Sequence, residues 1–225
     1  MVARLHGIRA CVFDAYGTLF DFGSAAAHCE AALGDRTAAL TVLWREKQLQ
    51  YSWLRSLQGH HADFWKVTGD ALDYALEALA LDRSDLRDTL MELYKTLDVF
   101  PEVPFVLARL RSRGFKTAIL SNGTPTMLGA AIDNAAIGSF LDYTLSVEEV
   151  GTYKTAPQVY QLAVDRLGLA SAEIAFQSSN AWDVHAASAF GMQTVWCNRS
   201  RQPHERLPGR PDREISDLAS LLELV

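Results

Sequence analysis

The sequence predicts an α/β protein in which a parallel sheet, wrapped by helices, is interrupted by an inserted all-helical block. Three observations carry that expectation. The apolar run Ala10, Cys11, Val12 and Phe13 has the length and composition of a strand buried on both faces, and it stops at the carboxylate of Asp14. Between Ser24 and Asp98 there is no strand pattern, only helical periodicity. From Val103 onward short apolar runs alternate with helical segments, the order that a parallel sheet with crossover helices requires.

After Asp14, Gly17 permits a tight turn and the Thr18 hydroxyl can bond back across it. In the helical block Leu40, Leu43, Trp44, Tyr51 and Leu54 mark one face of a long helix; Leu72, Ala75, Leu76 and Leu79 mark a second, and Leu86, Leu90, Leu93 and Leu97 a third. Thr68 and Ser84 read as N-caps. Pro101 and Pro104 close the block. The chain then predicts a helix Val103 to Arg113, a strand Phe115 to Ser121, a helix from Pro125, a short strand near Tyr143 and a helix from Pro157. Strand Ile174 to Ser178, helix Ala181 to Phe190, strand Gln193 to Asn198 and a last helix from Ser216 complete the alternation. Arg199 to Arg213, with three prolines, reads as a loop or surface arm.

With 225 residues, 49% hydrophobic and 21% charged, the chain can bury one good core and a smaller second one. A net charge of −6 argues against nucleic acid or an anionic membrane as partner, since both want a basic face, and neither is expected. The three cysteines, Cys11, Cys29 and Cys197, are odd in number and far apart, which reads as free core thiols in a reducing compartment. No export signal or membrane span is legible, and a cytoplasmic location is expected.

Polar clusters end several predicted strands. Besides Asp14, these are Ser121, Asn122 and Gly123, followed by Thr124 as an N-cap and Pro125 at the first helical position, where backbone N–H groups face an anion. Lys154 precedes the helix carrying Val159 and Tyr160. Ser178, Ser179, Asn180, Ala181, Trp182 and Asp183 follow the strand that starts at Ile174. Taken singly, each is also what a turn, a solvated lysine or a capped helix looks like. Jointly they converge, because strand ends on one edge of a parallel sheet open into one crevice. Two carboxylates, a lysine and several hydroxyls in one crevice point to chemistry.

The order FDAYGT, LSNG, a lysine before a helix and then SSNAWD resembles the haloacid dehalogenase superfamily, and within it the L-2-haloacid dehalogenase family. LWREKQLQYSWLRSL in the helical block looks like that family's cap. The resemblance covers nearly the whole chain. It implies a Rossmann-like parallel sheet core, residues 1–20 and 99–225, with an inserted all-helical cap domain, residues 21–98, over a nucleophilic aspartate. The chain departs from the closest pattern after Lys154, where Thr155 stands in place of an immediate proline; Tyr160 still falls six residues after the lysine.

Tyr16 decides the branch. Phosphatase members carry a second aspartate there, beside a Mg²⁺ ion. A phosphate dianion next to a carboxylate nucleophile needs a divalent cation, whereas a carboxylic acid monoanion can be held by hydroxyls, N–H groups and the single cations Arg45 and Lys154. No metal and no cofactor are expected.

The resemblance also implies roles. Asp14 attacks carbon 2 of a short L-2-haloacid opposite the halogen, giving an ester and a halide, and water hydrolyses the ester to a D-2-hydroxy acid. Lys154 stands beside Asp14, with Ser178 and Asn180 holding the lysine and Asp183, while Thr18 supports the Asp14 turn. Ser121 and the N–H groups of Ala15, Tyr16 and Asn122 bind the substrate carboxylate. Arg45 meets the halide with the Asn122 side chain and the edge of Trp182; by residue type alone Arg45 reads as a solvated helix cation. Tyr16, Leu49, Phe64 and Trp182 form an apolar substrate pocket, which Tyr160 joins, although Leu49 and Phe64 read equally as core. Asp183 is the family's water-activating base. His185 is a second candidate, but residues two apart on a helix point in different directions.

The sequence also admits other activities: attack by the same Asp14 on a fluoroacid or a strained ring, a Mg²⁺-dependent phosphatase, or a non-catalytic binding protein of the same fold. The family further implies a homodimer.

Overall fold

The computed structural model describes residues 4–81 and 84–225. A six-stranded, wholly parallel sheet lies at its centre in the order β3-β2-β1-β4-β5-β6. The strands are β1 (Ala10–Phe13), β2 (Lys116–Ser121), β3 (Tyr143–Ser146), β4 (Ile174–Ser178), β5 (Gln193–Cys197) and β6 (Arg213–Ile215). β1 is central because Ala10, Cys11, Val12 and Phe13 are all fully buried, an environment only a strand covered on both faces provides. Its register pairs Phe13 with Ile119 of β2 and with Gln177 of β4. Asp14, Ser121 and Ser178 therefore emerge at one edge, where the strand order reverses and open α/β sheets bind ligands.

β6, at the end of the expected arm, is too short to show a period, and only pairing with Val195, Trp196 and Cys197 makes it a strand. The helix expected from Ser216 is instead a tight 3₁₀ segment, Leu218–Glu223, capped by Asp217, whose Oδ1 accepts from Ala219 N at 3.0 Å.

Between β1 and β2 run α1 (Ser24–Ala27), α2 (Glu30–Leu33), α3 (Thr37–Gln58), α4 (Phe64–Ala78) and α5 (Ser84–Lys95). The chain enters and leaves this block through one neck: Asp21 N donates to Asp98 O at 2.8 Å, and Phe100 N to Leu19 O at 3.0 Å. α4 buries Leu72, Ala75 and Leu76, and α5 buries Leu86 and Leu90, as their periodicity requires. α3 departs from expectation. Leu54 is exposed, and the buried stripe is Leu40, Trp44, Gln48 and Ser52, four residues one turn apart along a single face. Thr68 is not a cap either. Asp63 caps α4, accepting from Lys66 N at 2.8 Å, while Thr68 sits one turn inside and donates to Phe64 O. Ser84 opens α5, but its side chain lies outside the described residues.

The remaining helices, α6 (Val103–Ser112), α7 (Pro125–Asn134), α8 (Pro157–Leu167) and α9 (Ala181–Phe190), link the later strands. Thr124 caps α7 by accepting from Met127 N at 3.2 Å. Cys11, Cys29 and Cys197 are buried and unpaired. No described helix is long and apolar enough to cross a membrane.

Candidate active site

Asp14 is 5% exposed at the end of β1, and its two oxygens are treated differently. Oδ2 accepts from Asn180 Nδ2 at 2.8 Å, Thr18 Oγ1 at 3.1 Å and Ser178 Oγ at 3.2 Å. Oδ1 accepts from Lys154 Nζ at 3.0 Å. Ser178 and Asn180 thus hold the aspartate itself, not the lysine as the resemblance implied. The reason is the level register of β1 and β4, which sets the residues after Phe13 beside those after Gln177. Thr18 is anchored in turn, since its Oγ1 accepts from Ser179 N at 2.8 Å.

Lys154 is buried against two carboxylates: Nζ lies 2.7 Å from Asp183 Oδ2 as well as 3.0 Å from Asp14 Oδ1. Its loop is fixed by Asn122, whose Oδ1 accepts from Lys154 N at 3.0 Å, and the Lys154–Thr155 peptide is cis. Burial pulls the ammonium pKa down, but Asp14 and Asp183 outweigh it and hold the group above its ordinary value. Burial pushes the Asp183 carboxyl up to about 6, against the pull of Lys154 and with the repulsion of Asp14. Tyr160 lines a cavity together with Lys154, Trp182 and His185, and its hydroxyl donates to Asp183 Oδ1 at 2.7 Å. His185 Nδ1 lies 3.2 Å from Leu207 O, so it donates there, and no described hydrogen bond joins this imidazole to Asp14, Lys154 or Asp183.

The helical block closes the crevice from above. Arg45 on α3 donates from Nη2 to Asn180 Oδ1 at 3.3 Å, which brings it to the residue that holds Asp14. Its guanidinium lies over the Phe22 ring at 5.1 Å. Tyr16 is buried between Phe64 and Tyr94, with ring centroids at 5.9 and 5.4 Å. Burial drives the Tyr16 phenol pKa well up, so it is neutral, and its hydroxyl has no described partner. Gly123 is required here because a Cβ would come within 2.7 Å of that hydroxyl oxygen. Ala15 is buried in the loop below, and Ser121 Oγ accepts from Gly123 N at 3.1 Å. Leu49 is half-buried one turn after Arg45, and Trp182 is half-buried with its ring edge-on to Trp53 at 5.4 Å.

Sequence reading missed Gln48, Thr68 and Tyr94 as parts of this site. Gln48 Oε1 accepts from Arg45 Nη1 at 2.7 Å. A polar signal was present, since Gln48 follows Trp44 by one turn on the buried face, but apolar periodicity does not register an amide.

Arranged this way, the site can orient a carboxylate nucleophile, keep it charged beside an ammonium and supply a second carboxylate as base. The model of the haloacid dehalogenase-like hydrolases matches residues 8–191. Over 97% of its length the chain is 44% identical to (S)-2-haloacid dehalogenase 1 of Pseudomonas sp. (strain CBS-3), covering 96% of that protein. It is 43% identical to (S)-2-haloacid dehalogenase 4A of Burkholderia cepacia, across 97% of this chain and 95% of that one. Among solved structures, the L-2-haloacid dehalogenase of Xanthobacter autotrophicus with chloropropionic acid covalently bound superposes with a TM-score of 0.90, at 38% identity and over 96% of this chain and 98% of that one. Sequence and fold thus agree over nearly the full length, and the chain belongs to the L-2-haloacid dehalogenase family of the haloacid dehalogenase-like hydrolases.

Proposed function

We propose that the protein hydrolyses short-chain L-2-haloacids to D-2-hydroxy acids through an ester on Asp14. The observation that carries this reading is the inequality of the two Asp14 oxygens: three donors tie down Oδ2, whereas Oδ1 faces the Lys154 ammonium alone. A carboxylate held in this way is oriented, ionised and left with a lone pair to give. The names of its relatives supply the substrate class.

In the first step Oδ1 attacks carbon 2 opposite the halogen, and the carbon–halogen bond breaks, its electron pair leaving as halide toward Arg45. Ser121, whose hydroxyl proton is not spent on Gly123 N, and the N–H groups of Ala15, Tyr16 and Asn122 hold the substrate carboxylate. Tyr16, Leu49, Phe64 and Trp182 give the alkyl group an apolar wall. In the second step water loses a proton to Asp183 and attacks the Asp14 carbonyl carbon. The acyl bond breaks, the hydroxy acid departs with one proton, and the other is released as Asp14 returns to carboxylate. With its pKa pushed up to about 6, Asp183 is a stronger base than an ordinary carboxylate and is still ionised at neutral pH.

A divalent ion does not fit the residues present. Tyr16 stands where a phosphatase aspartate would, and the Lys154 ammonium fills the space between Asp14 and Asp183. The reaction is therefore metal-independent. Residues 21–98 act as a cap over a core of residues 1–20 and 99–225, a division supported by the paired neck at Asp21 and Asp98. The protein works as a cytoplasmic homodimer. Its three unpaired thiols support the location, and Leu54 and Leu57, exposed on α3, support the dimer.

A single turnover with excess enzyme in ¹⁸O-water tests the ester. Unlabelled hydroxy acid with label in the Asp14 side chain is the expected result; labelled product in that first turnover would overturn it.

A further inference from the structure

Gln48 lies in the middle of the 22-residue helix α3 and is 1% exposed, at a position where an apolar side chain would pack at no polar cost. A buried primary amide is costly unless its donors and acceptor are satisfied. Here they are, and the bonds fix which way the amide points. Thr68 Oγ1 spends its one proton on Phe64 O at 2.7 Å, so toward Gln48 it can only accept, and Gln48 Nε2 donates to it at 2.7 Å. The amide nitrogen therefore faces Thr68 and the Tyr94 hydroxyl at 3.0 Å, and the amide oxygen faces Arg45 Nη1 at 2.7 Å. At the other end of the guanidinium Nη2 reaches Asn180 Oδ1 at 3.3 Å. Arg45 Nε is buried with no partner among the described residues. A cationic N–H left bare where its neighbours are satisfied is a place for an anion.

We infer that Gln48 is a positioning residue for the leaving group: it anchors Arg45 through Nη1 so that the Nε edge is presented to the departing halide, and thereby sets how well the enzyme handles poor leaving groups. The inference rests on the reading of Arg45 as halide acceptor. As the bond from Asp14 Oδ1 to carbon 2 forms, the carbon–halogen electron pair moves onto the halogen. Chloride leaves less readily than bromide and draws more help from the cation in the transition state. A neutral amide orients the guanidinium without cancelling its charge. A carboxylate at the same place would form an ion pair with Arg45 and weaken its hold on the halide.

The test compares kcat/KM for L-2-bromopropionate and L-2-chloropropionate, a quantity that ends at the first irreversible step and so reports halide displacement rather than ester hydrolysis. Gln48→Met, close in size and without the acceptor, should raise the bromide-to-chloride ratio about tenfold. Gln48→Glu should raise it as well, by charge cancellation, and Thr68→Val should raise it by a smaller factor. A role in stability alone would lower both substrates equally. Folded Gln48→Met enzyme with the wild-type ratio would overturn the inference; should that variant fail to fold, an unchanged ratio in Thr68→Val does the same. Arg45→Ala separates the two readings. If it too leaves the ratio unchanged, the halide role of Arg45 has failed; if it raises the ratio while Gln48→Met does not, the failure belongs to Gln48.

Discussion

Tyr160 donates its hydroxyl proton to Asp183 Oδ1 at 2.7 Å, while the other oxygen of the same carboxylate faces the Lys154 ammonium. The phenol stays a donor because burial and the Asp183 charge both drive its pKa well up. That bond favours the ionised carboxylate, whereas burial favours the neutral acid and pushes the pKa to about 6. Asp183 is thus balanced near neutrality by opposing, nameable groups, and the balance can be moved.

The pH dependence of kcat for dehalogenation follows from that balance where ester hydrolysis limits turnover. Asp183 acts as the ionised base, so activity should fall as pH drops through about 6. On the alkaline side Lys154 is held above its ordinary value, so no loss from its deprotonation is expected below the usual lysine range. Tyr160→Phe removes a hydrogen bond to a charged group, worth roughly 1.5 kcal/mol, and should move the acid limb upward by about one pH unit. Halide release followed across pH in both enzymes checks the direction and the size.

Lys154→Met should be strongly destabilising. It leaves two buried carboxylates without their shared cation, a change that costs about 3–5 kcal/mol when a buried pair is broken. Adding Asp183→Asn should recover part of the loss, because only one buried charge is then uncompensated. Urea unfolding of the single and double variants at neutral pH measures both effects.

Asp14→Asn should abolish turnover, since a neutral amide is a far weaker nucleophile at carbon 2. The purified variant needs checking by mass spectrometry, because deamidation would regenerate the wild-type side chain. Full activity without deamidation would remove Asp14 from the mechanism.

Exhaustive chelation should leave the rate within about twofold of the untreated enzyme. A loss of about tenfold, restored by Mg²⁺, would instead favour the phosphatase-like chemistry that Tyr16 argues against. Halide release before and after treatment is the measurement.

The sheet and the location of the site were legible locally. The run Ala10 to Phe13 ending at Asp14, the strand ending at Ser121 and the strand ending at Ser178 each announce themselves within a few residues, and a parallel sheet necessarily brings such ends to one edge. β6 was not legible, because three paired residues carry too few positions to show a period, and the last helix was legible as helical but not as a six-residue 3₁₀ segment that starts only after its Asp217 cap. Nor could the sequence alone say which oxygen of Asp14 each donor would meet. Ser178, Asn180 and Lys154 lie 164, 166 and 140 residues from it, and their choice depends on the β1–β4 register and the Asn122-anchored loop. Gln48 shows the same limit on α3. Periodicity records where a helix is apolar, whereas the worth of a buried amide depends on which donors and acceptors other elements set against it, and only tertiary packing decides that.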